Sequence, residues 1–411
     1  MKKILLTLMF CLAITGNVFA VGLDFTEVGL RANAMGTAYT GIADDASAVY
    51  WNPAGLTQID NETISGEIML AYIRPTHTYE DTSGKSYDNS ASIFIPEGFI
   101  AYKRGDFAVA TGLYIPYANG SSDFKNVPYV YPGLGVATTA NIKAVMAFYA
   151  LGASLAYRVL PALSIGLTGE AIYGVNELEV SLDNPLSPGT NGMTQDLKTR
   201  GWAGYRAAVG IMIEPTQDLN IGLQFKNKTD LSMQGTYYIR EVNSGTIIYD
   251  NNAEFKEKLP YVVMGGVGYN VTSVFIISLD SAYKWWSEAD KKTLEYEVSG
   301  TKIKQNATYK QKNNYSVAIG IEYKPIETLK LRSGIFYISA AADDENVSYL
   351  NDIDTSVISL RGGVAYNLLP KLEICGDLAY SYGTGSLGAE NDSGKYGATA
   401  WTALIGLRYS K

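Results

Sequence analysis

The stretch ADDASAVYWNPAGL, residues 43–56, sets two adjacent carboxylates, Asp44 and Asp45, ahead of the triplet Asn52-Pro53-Ala54. Paired acids beside an amide and an indole are the composition of an acid–base site, where one carboxyl donates a proton and its neighbour accepts one. Such a site needs a second catalytic group, and the chain is poor in them. His77 is the one histidine and falls in a long polar connection, where a solvated side chain is the plain reading. Hydrolytic barrel enzymes rely on a histidine base beside a nucleophile or an activated water. The sequence therefore predicts no enzyme and no catalytic residue. The run GGVGYN at 265–270 lies in an alternating segment and lacks the strand-to-helix setting of a phosphate loop. Asp343-Asp344 and Asp352 with Asp354 could hold calcium but read as an acidic solvated loop, so no metal and no cofactor is expected.

Binding chemistry is better supplied. A passage for an amphipathic acid needs an apolar lining with one or two fixed cations for the carboxylate. Arg206, Lys284 and Arg361 fall on the inward face of alternating segments at similar depth. They are the candidates to hold a ligand head group. The competing reading pairs inward cations with Glu170, Asp280, Glu322 or Asp377, or with Asp44 and Asp45. Arg158, Arg332 and Arg408 also point inward, nearer the other end of their segments. Pro96 and Pro116 raise a different possibility. Proline removes a ladder donor and is normally kept out of central strands. In neighbouring strands of a closed sheet the two mark weakened pairing, either a plain bulge or a gap in the wall.

The elements that position these residues are strands. In YSVAIGIEY, residues 315–323, Tyr315, Val317, Ile319, Ile321 and Tyr323 share one face while Ser316, Ala318, Gly320 and Glu322 share the other. Residues 163–173 and 401–409 repeat this period of two, which is the strand template. Fourteen such segments are predicted, at 63–73, 94–103, 106–117, 143–159, 162–174, 201–214, 218–226, 260–270, 273–287, 313–323, 329–339, 356–367, 371–382 and 399–409. Short links such as Arg104-Gly105, Leu160-Pro161 and Val271-Thr272 alternate with long polar ones at 74–93, 118–142, 175–200, 227–259, 288–312, 340–355 and 383–398. Short turns on one rim and long loops on the other are the outer-membrane barrel pattern. With the short turns periplasmic, both termini are periplasmic. Aromatic residues crowd the strand ends (Tyr72, Tyr102, Tyr157, Tyr269, Tyr283, Trp285, Tyr323, Tyr366 and Tyr409), as interfacial belts require.

Composition agrees. Lys2 and Lys3, an apolar run from Ile4 to Ile14 and Val18-Phe19-Ala20 give residues 1–20 the form of a secretory signal peptide. Its removal takes the formal net charge from −8 to −10, which argues against nucleic acid as a partner. Cys375 is then the one remaining cysteine, so no internal disulfide forms. Beyond the leader, no apolar run reaches the ~18–20 residues of a membrane helix. Yet 31 Tyr, 41 Gly and 47% hydrophobic residues are a large share for an acidic soluble chain, and fit a barrel whose alternate residues face lipid.

A barrel of fourteen strands is too wide for its own side chains to fill, and residues 21–62 precede the first strand without alternating. They are dense in glycine and alanine, which lets a backbone fold tightly in a confined lumen. Asp44, Asp45, Ser47 and Asn52 can cap short turns there or bond to the wall. The segment GLRANAMGTAYTGIADDASAVYWNPAGLTQI resembles the N-terminal hatch of the FadL/TodX family. FIPEGFIAYKRGDFAVATGLYIPYANG, GWAGYRAAVGIMIEPTQDLNIGLQFKNK, LPYVVMGGVGYN and AIGIEYKPIETLKLRSGIFY resemble its strand–turn–strand segments, so the likeness spans nearly the whole mature chain. It implies a 14-stranded antiparallel transmembrane β-barrel, residues 63–411, plugged by a hatch at 21–62. It also implies passive passage of long-chain fatty acids or other hydrophobic compounds, with sideways exit into the membrane. In the family a kinked third strand serves that exit, and Pro116 sits where the kink would be. The expected partners are a hydrophobic small molecule and outer-membrane lipid, with the protein a monomer. A non-specific porin and a docking barrel of a secretion system are the rival readings.

Overall fold

A computed structural model describes residues 26–130, 137–183, 192–242, 244–289, 291–298, 301–308, 311–341, 355–387 and 394–410. The expected leader at 1–20 lies outside them, as do Asp343, Asp344, Asp352 and Asp354. The strands are β1 (Thr63–Asp81), β2 (Ser86–Ser90), β3 (Ile93–Arg104), β4 (Phe107–Val130), β5 (Ala137–Leu160), β6 (Leu163–Leu182), β7 (Met193–Ile213), β8 (Leu219–Lys226), β9 (Thr229–Glu241), β10 (Ile247–Leu259), β11 (Val262–Thr272), β12 (Phe275–Lys284), β13 (Lys291–Val298), β14 (Thr301–Thr308), β15 (Asn314–Ile326), β16 (Leu329–Ile338), β17 (Val357–Leu369), β18 (Leu372–Leu387) and β19 (Gly394–Ser410). Fourteen of them are staves of a closed antiparallel barrel. The other five, β2, β9, β10, β13 and β14, are hairpin strands added to the long connections. β8 pairs directly with β11, β12 with β15 and β19 with β1, which closes the ring.

Each predicted segment falls on a stave, but the long connections hold more strand than their polarity suggests. β1 continues to Asp81, and the stretches read as loops at 227–259 and 288–312 contain the β9–β10 and β13–β14 hairpins. Beyond the lipid the outer face is polar and the apolar face turns inward, as at Tyr79, Leu197 and Ile239, so pairing persists after the lipid-facing hydropathy signal has gone. The segment read as 273–287 ends at Lys284, and Trp286–Glu288 form a 3-10 turn.

The usual burial pattern is inverted on the wall. On β15, Ile319 is 51% exposed while Glu322 is 1% exposed. Lipid covers the apolar face, and moving each such side chain out of water contributes about 1.5–3 kcal/mol. Tyr323 and Tyr315 stand at the two ends of this face, eight residues apart. At ~3.3 Å per residue and a tilt of ~40° they span roughly 20 Å of membrane, close to the ~25 Å apolar band of such barrels.

Residues 26–62 lie inside. They form a five-residue helix (Leu30–Ala34), a single turn (Ala48–Trp51) and a 3-10 segment (Pro53–Gln58). Their backbone rests against inward-facing glycines of the wall. A methyl group at Gly166 or Gly210 would strike Pro53 and Ala54, one at Gly222 the Thr40 carbonyl, one at Gly266 Gly41, and one at Gly320 or Gly334 Met35. Gly166 and Gly210 are cross-strand partners, as are Gly222 and Gly266, and Gly320 and Gly334. Absence of side chains along these rows leaves the space that the segment occupies.

The wall is interrupted in one place near the predicted prolines. The β3–β4 ladder runs from Arg104–Phe107 to Gly98–Leu113 and goes no further, although β3 continues back to Ile93. On the other side of β4, Ile115 and Pro116 together oppose Tyr149, a one-residue bulge against β5. Pro96 sits on β3 just past the last paired residue, opposite Leu70 of β1.

Candidate functional site

A pocket opens above the inner segment, with Tyr50, Trp51, Thr37 and Thr40 as its floor and Tyr117, Lys226, Val262, Lys284 and Phe336 among its walls. Two lysines face it from one row, because Val262 of β11 is the cross-strand partner of both Lys226 on β8 and Lys284 on β12. The Lys226 ammonium lies 3.6 Å from the ring centre of Tyr50 and 4.0 Å from Glu170. Beside the pocket Tyr117, Phe148, Ile172, Met233, Phe255 and Trp286 pack into an apolar shaft that their own side chains fill, each at most 4% exposed. Tyr117 belongs to both regions. Within the shaft the buried Trp286 Nε1–H has no hydrogen-bond partner.

Arg206 is buried behind Tyr117. Its Nη1 donates to the Tyr117 hydroxyl, its Nε to the Asn227 carbonyl at 3.0 Å and its Nη2 to the Pro260 carbonyl at 2.7 Å. All three partners are neutral, and among the described residues it makes no ion pair. Glu170 lies across the ladder from it but accepts from Tyr114 and pairs with Lys226. A buried guanidinium held by neutral oxygens retains an attraction for an anion.

The three cations read from the sequence therefore separate. Lys284 lines the pocket, and Arg206 approaches it through Tyr117. Arg361 reaches it from behind Phe336, 5.6 Å from that ring, but is committed to the inner segment: it donates to Thr26, Asn33 and Glu27, the last at 3.2 Å. Glu27 was not among the acids expected to pair. Asp280, which was, instead accepts from the backbone of Tyr39 at 3.0 Å and Thr40 at 2.5 Å. Arg332 pairs with Glu322 at 2.7 Å, and Arg408 with Asp45 at 2.8 Å. Lys226 is the cation that the sequence reading passed over, although Leu223 and Phe225 on the lipid face already place it inward.

The residues of the opening motif join the segment to the wall and to itself. Asp45 accepts from Ser47, Tyr39 and Arg408. Asp44 pairs with Arg31 at 2.5 Å, and Arg31 with Glu322 at 2.8 Å. Asn52, in extended conformation, accepts from Ala54 N and so caps the 3-10 segment that Pro53 begins, while its amide donates to the Ile211 carbonyl of β7 at 3.1 Å. Ala54 is fully buried against Gly166. Asp44 and Asp45 thus face cations and hydroxyls, an arrangement that holds charge in place. His77 lies on the outer part of β1, bonded to the Tyr396 hydroxyl and far from the pocket in sequence and along the strand.

A family model described as outer membrane protein transport protein (OMPP1/FadL/TodX) matches residues 11–404. Outer membrane protein P1 of Haemophilus influenzae is 24% identical over 93% of this chain and 89% of its own. A long-chain fatty acid transport protein of Salmonella typhi is 23% identical over 90% and 89%. Among solved structures, the Pseudomonas putida toluene transporter TodX superposes with a TM-score of 0.73 at 14% identity, covering 96% of this chain and 99% of that one.

Proposed function

Because the chain belongs to the outer membrane protein transport protein family (OMPP1/FadL/TodX), we propose that it admits a hydrophobic small molecule bearing an acidic head group across the outer membrane without energy input. The long hairpins face outward and the short turns and the end of β19 lie in the periplasm, whereas Thr26, the first described residue, lines the pocket inside the barrel. The ligand descends the apolar shaft, and its carboxylate stops at Lys226 and Lys284, with Arg206 acting through Tyr117. The observation that carries this reading is the junction at Tyr117, where an apolar shaft ends on an arc of cations. Burial of the tail supplies most of the affinity, at roughly 25 cal/mol per Å² of apolar surface. The cations select for charge.

Residues 26–62 act in this reading as a hatch that blocks free diffusion, tied down by Arg361–Glu27, Arg31–Glu322 and Arg408–Asp45. The ligand leaves sideways where the β3–β4 ladder stops, beside Pro96 and Pro116. A relative is named for long-chain fatty acids and a structural neighbour for toluene. The lysine row favours the carboxylate here. Mass spectrometry of lipids that co-purify with the folded barrel tests this choice. Long-chain carboxylates lost on substitution of Lys226 and Lys284 by Glu support it, and neutral hydrocarbons alone overturn it.

A further inference from the structure

Two backbone amides from distant parts of the chain meet one carboxylate at the place where the wall is interrupted. Glu97 of β3 is 4% exposed and one residue beyond the last β3–β4 pair. Its Oε1 accepts from Ile115 N at 3.1 Å, within the β4 bulge, and its Oε2 accepts from Gly29 N at 3.4 Å, ahead of the Leu30–Ala34 helix. Among the described residues it has no cationic partner. Gly29 has φ +80°, and a Cβ there would collide with Ser47, so the direction of its amide is fixed by the fold of the segment. A second wall acid, Glu67 of β1, accepts from Leu30 N at 2.7 Å and pairs with Arg408 at 3.3 Å, and among the described residues it makes no hydrogen bond to β4.

We infer that Glu97 is a positioning residue that couples the seating of the inner segment to the shape of the wall opening. A buried carboxylate with no cation depends on its few donors, and losing one leaves a costly unmet acceptor. If Gly29 moves away, Glu97 is left with the Ile115 amide alone, and turning toward water releases that amide too. The bulge in β4 and the start of the helix therefore loosen together. The consequence for transport rests on the lateral exit proposed above; the coupling itself does not.

Hydrogen exchange read by mass spectrometry on the full-length protein in lipid nanodiscs, without ligand, tests it in the peptides covering 26–34 and 107–118. E97A is expected to speed exchange about tenfold or more in both stretches. E97Q keeps a single acceptor oxygen, so one of the two amides loses its partner, and both stretches are expected to loosen, by less than in E97A. E67A perturbs the segment without touching β4, and is expected to loosen 107–118 as well as 26–34. A response confined to 26–34 in E67A, or wild-type exchange in 107–118 in a folded E97A, overturns the coupling. If both stretches respond yet uptake by E97A equals wild type, the coupling stands and the lateral exit fails.

Discussion

Lys226 and Lys284 flank Val262 on three adjacent strands, so their ammonium groups reach one head group together. The double charge reversal K226E/K284E is expected to weaken binding of a long-chain carboxylate at least tenfold, while binding of the matching methyl ester changes less than threefold, in titrations of the detergent-solubilised barrel. R361E should instead unseat the inner segment and raise ion conductance in planar bilayers, because Arg361 ties that segment down through Thr26, Asn33 and Glu27. Asp45 carries a pH prediction. Burial by itself would raise its carboxyl, but Arg408 beside it, with the Ser47 and Tyr39 hydroxyls, holds it below the usual carboxylate range. A depressed folded value means that the stabilisation is complete above the unfolded value of about 3.9 and is lost as pH falls through the lower folded one. Single-channel recordings should therefore show conductance rising only in strong acid for the wild type. D45N, which leaves Arg408 short of a buried partner at a cost of about 3 kcal/mol, should already conduct at neutral pH.

At the scale of elements, the glycine rows and the interrupted ladder make separate claims. G222L would drive a side chain into the Thr40 backbone. It is expected to unseat the inner segment and raise ion conductance several-fold in planar bilayers, with barrel assembly retained. Deleting Pro116 removes the extra residue of the bulge and lets β4 pair evenly. Ligand binding is then expected to persist while release into lipid slows at least fivefold, measured by stopped-flow quenching of a fluorescent acid. The staves were legible in the sequence because lipid and lumen impose opposite chemistry on alternate residues, as at Ile319 and Glu322. The β9–β10 and β13–β14 hairpins were not read: Leu231, Met233 and Ile239 of β9 are buried on one face, but Asp230, Ser232 and Gln234 between them give the stretch the polarity of a loop. Arg206 and Lys284 could be read as inward from alternation alone. What could not be read was which cation already had a partner: alternation places Glu67 and Glu97 inward, but the segment amides and cations they meet, like those of Glu27, depend on how residues 26–62 fold in the lumen.

For the whole molecule, a barrel of this width carries small molecules selectively only if something inside it closes the path to ions and water. The inner segment fills the lumen nearer the short turns. The apolar shaft and the cation arc occupy the part above it, and the interruption of the β3–β4 ladder lies at the side. Together they describe passage for a molecule that is mostly tail and ends in an acid. The direct measurement is uptake of a radiolabelled long-chain carboxylate by proteoliposomes holding oriented wild-type barrel, set against the K226E/K284E variant and against conductance of the same preparation. Saturable uptake that falls at least tenfold in the variant, with little ion conductance in the wild type, is expected. Uptake unaffected by the two substitutions, or an ion conductance of porin size, would contradict the proposed function.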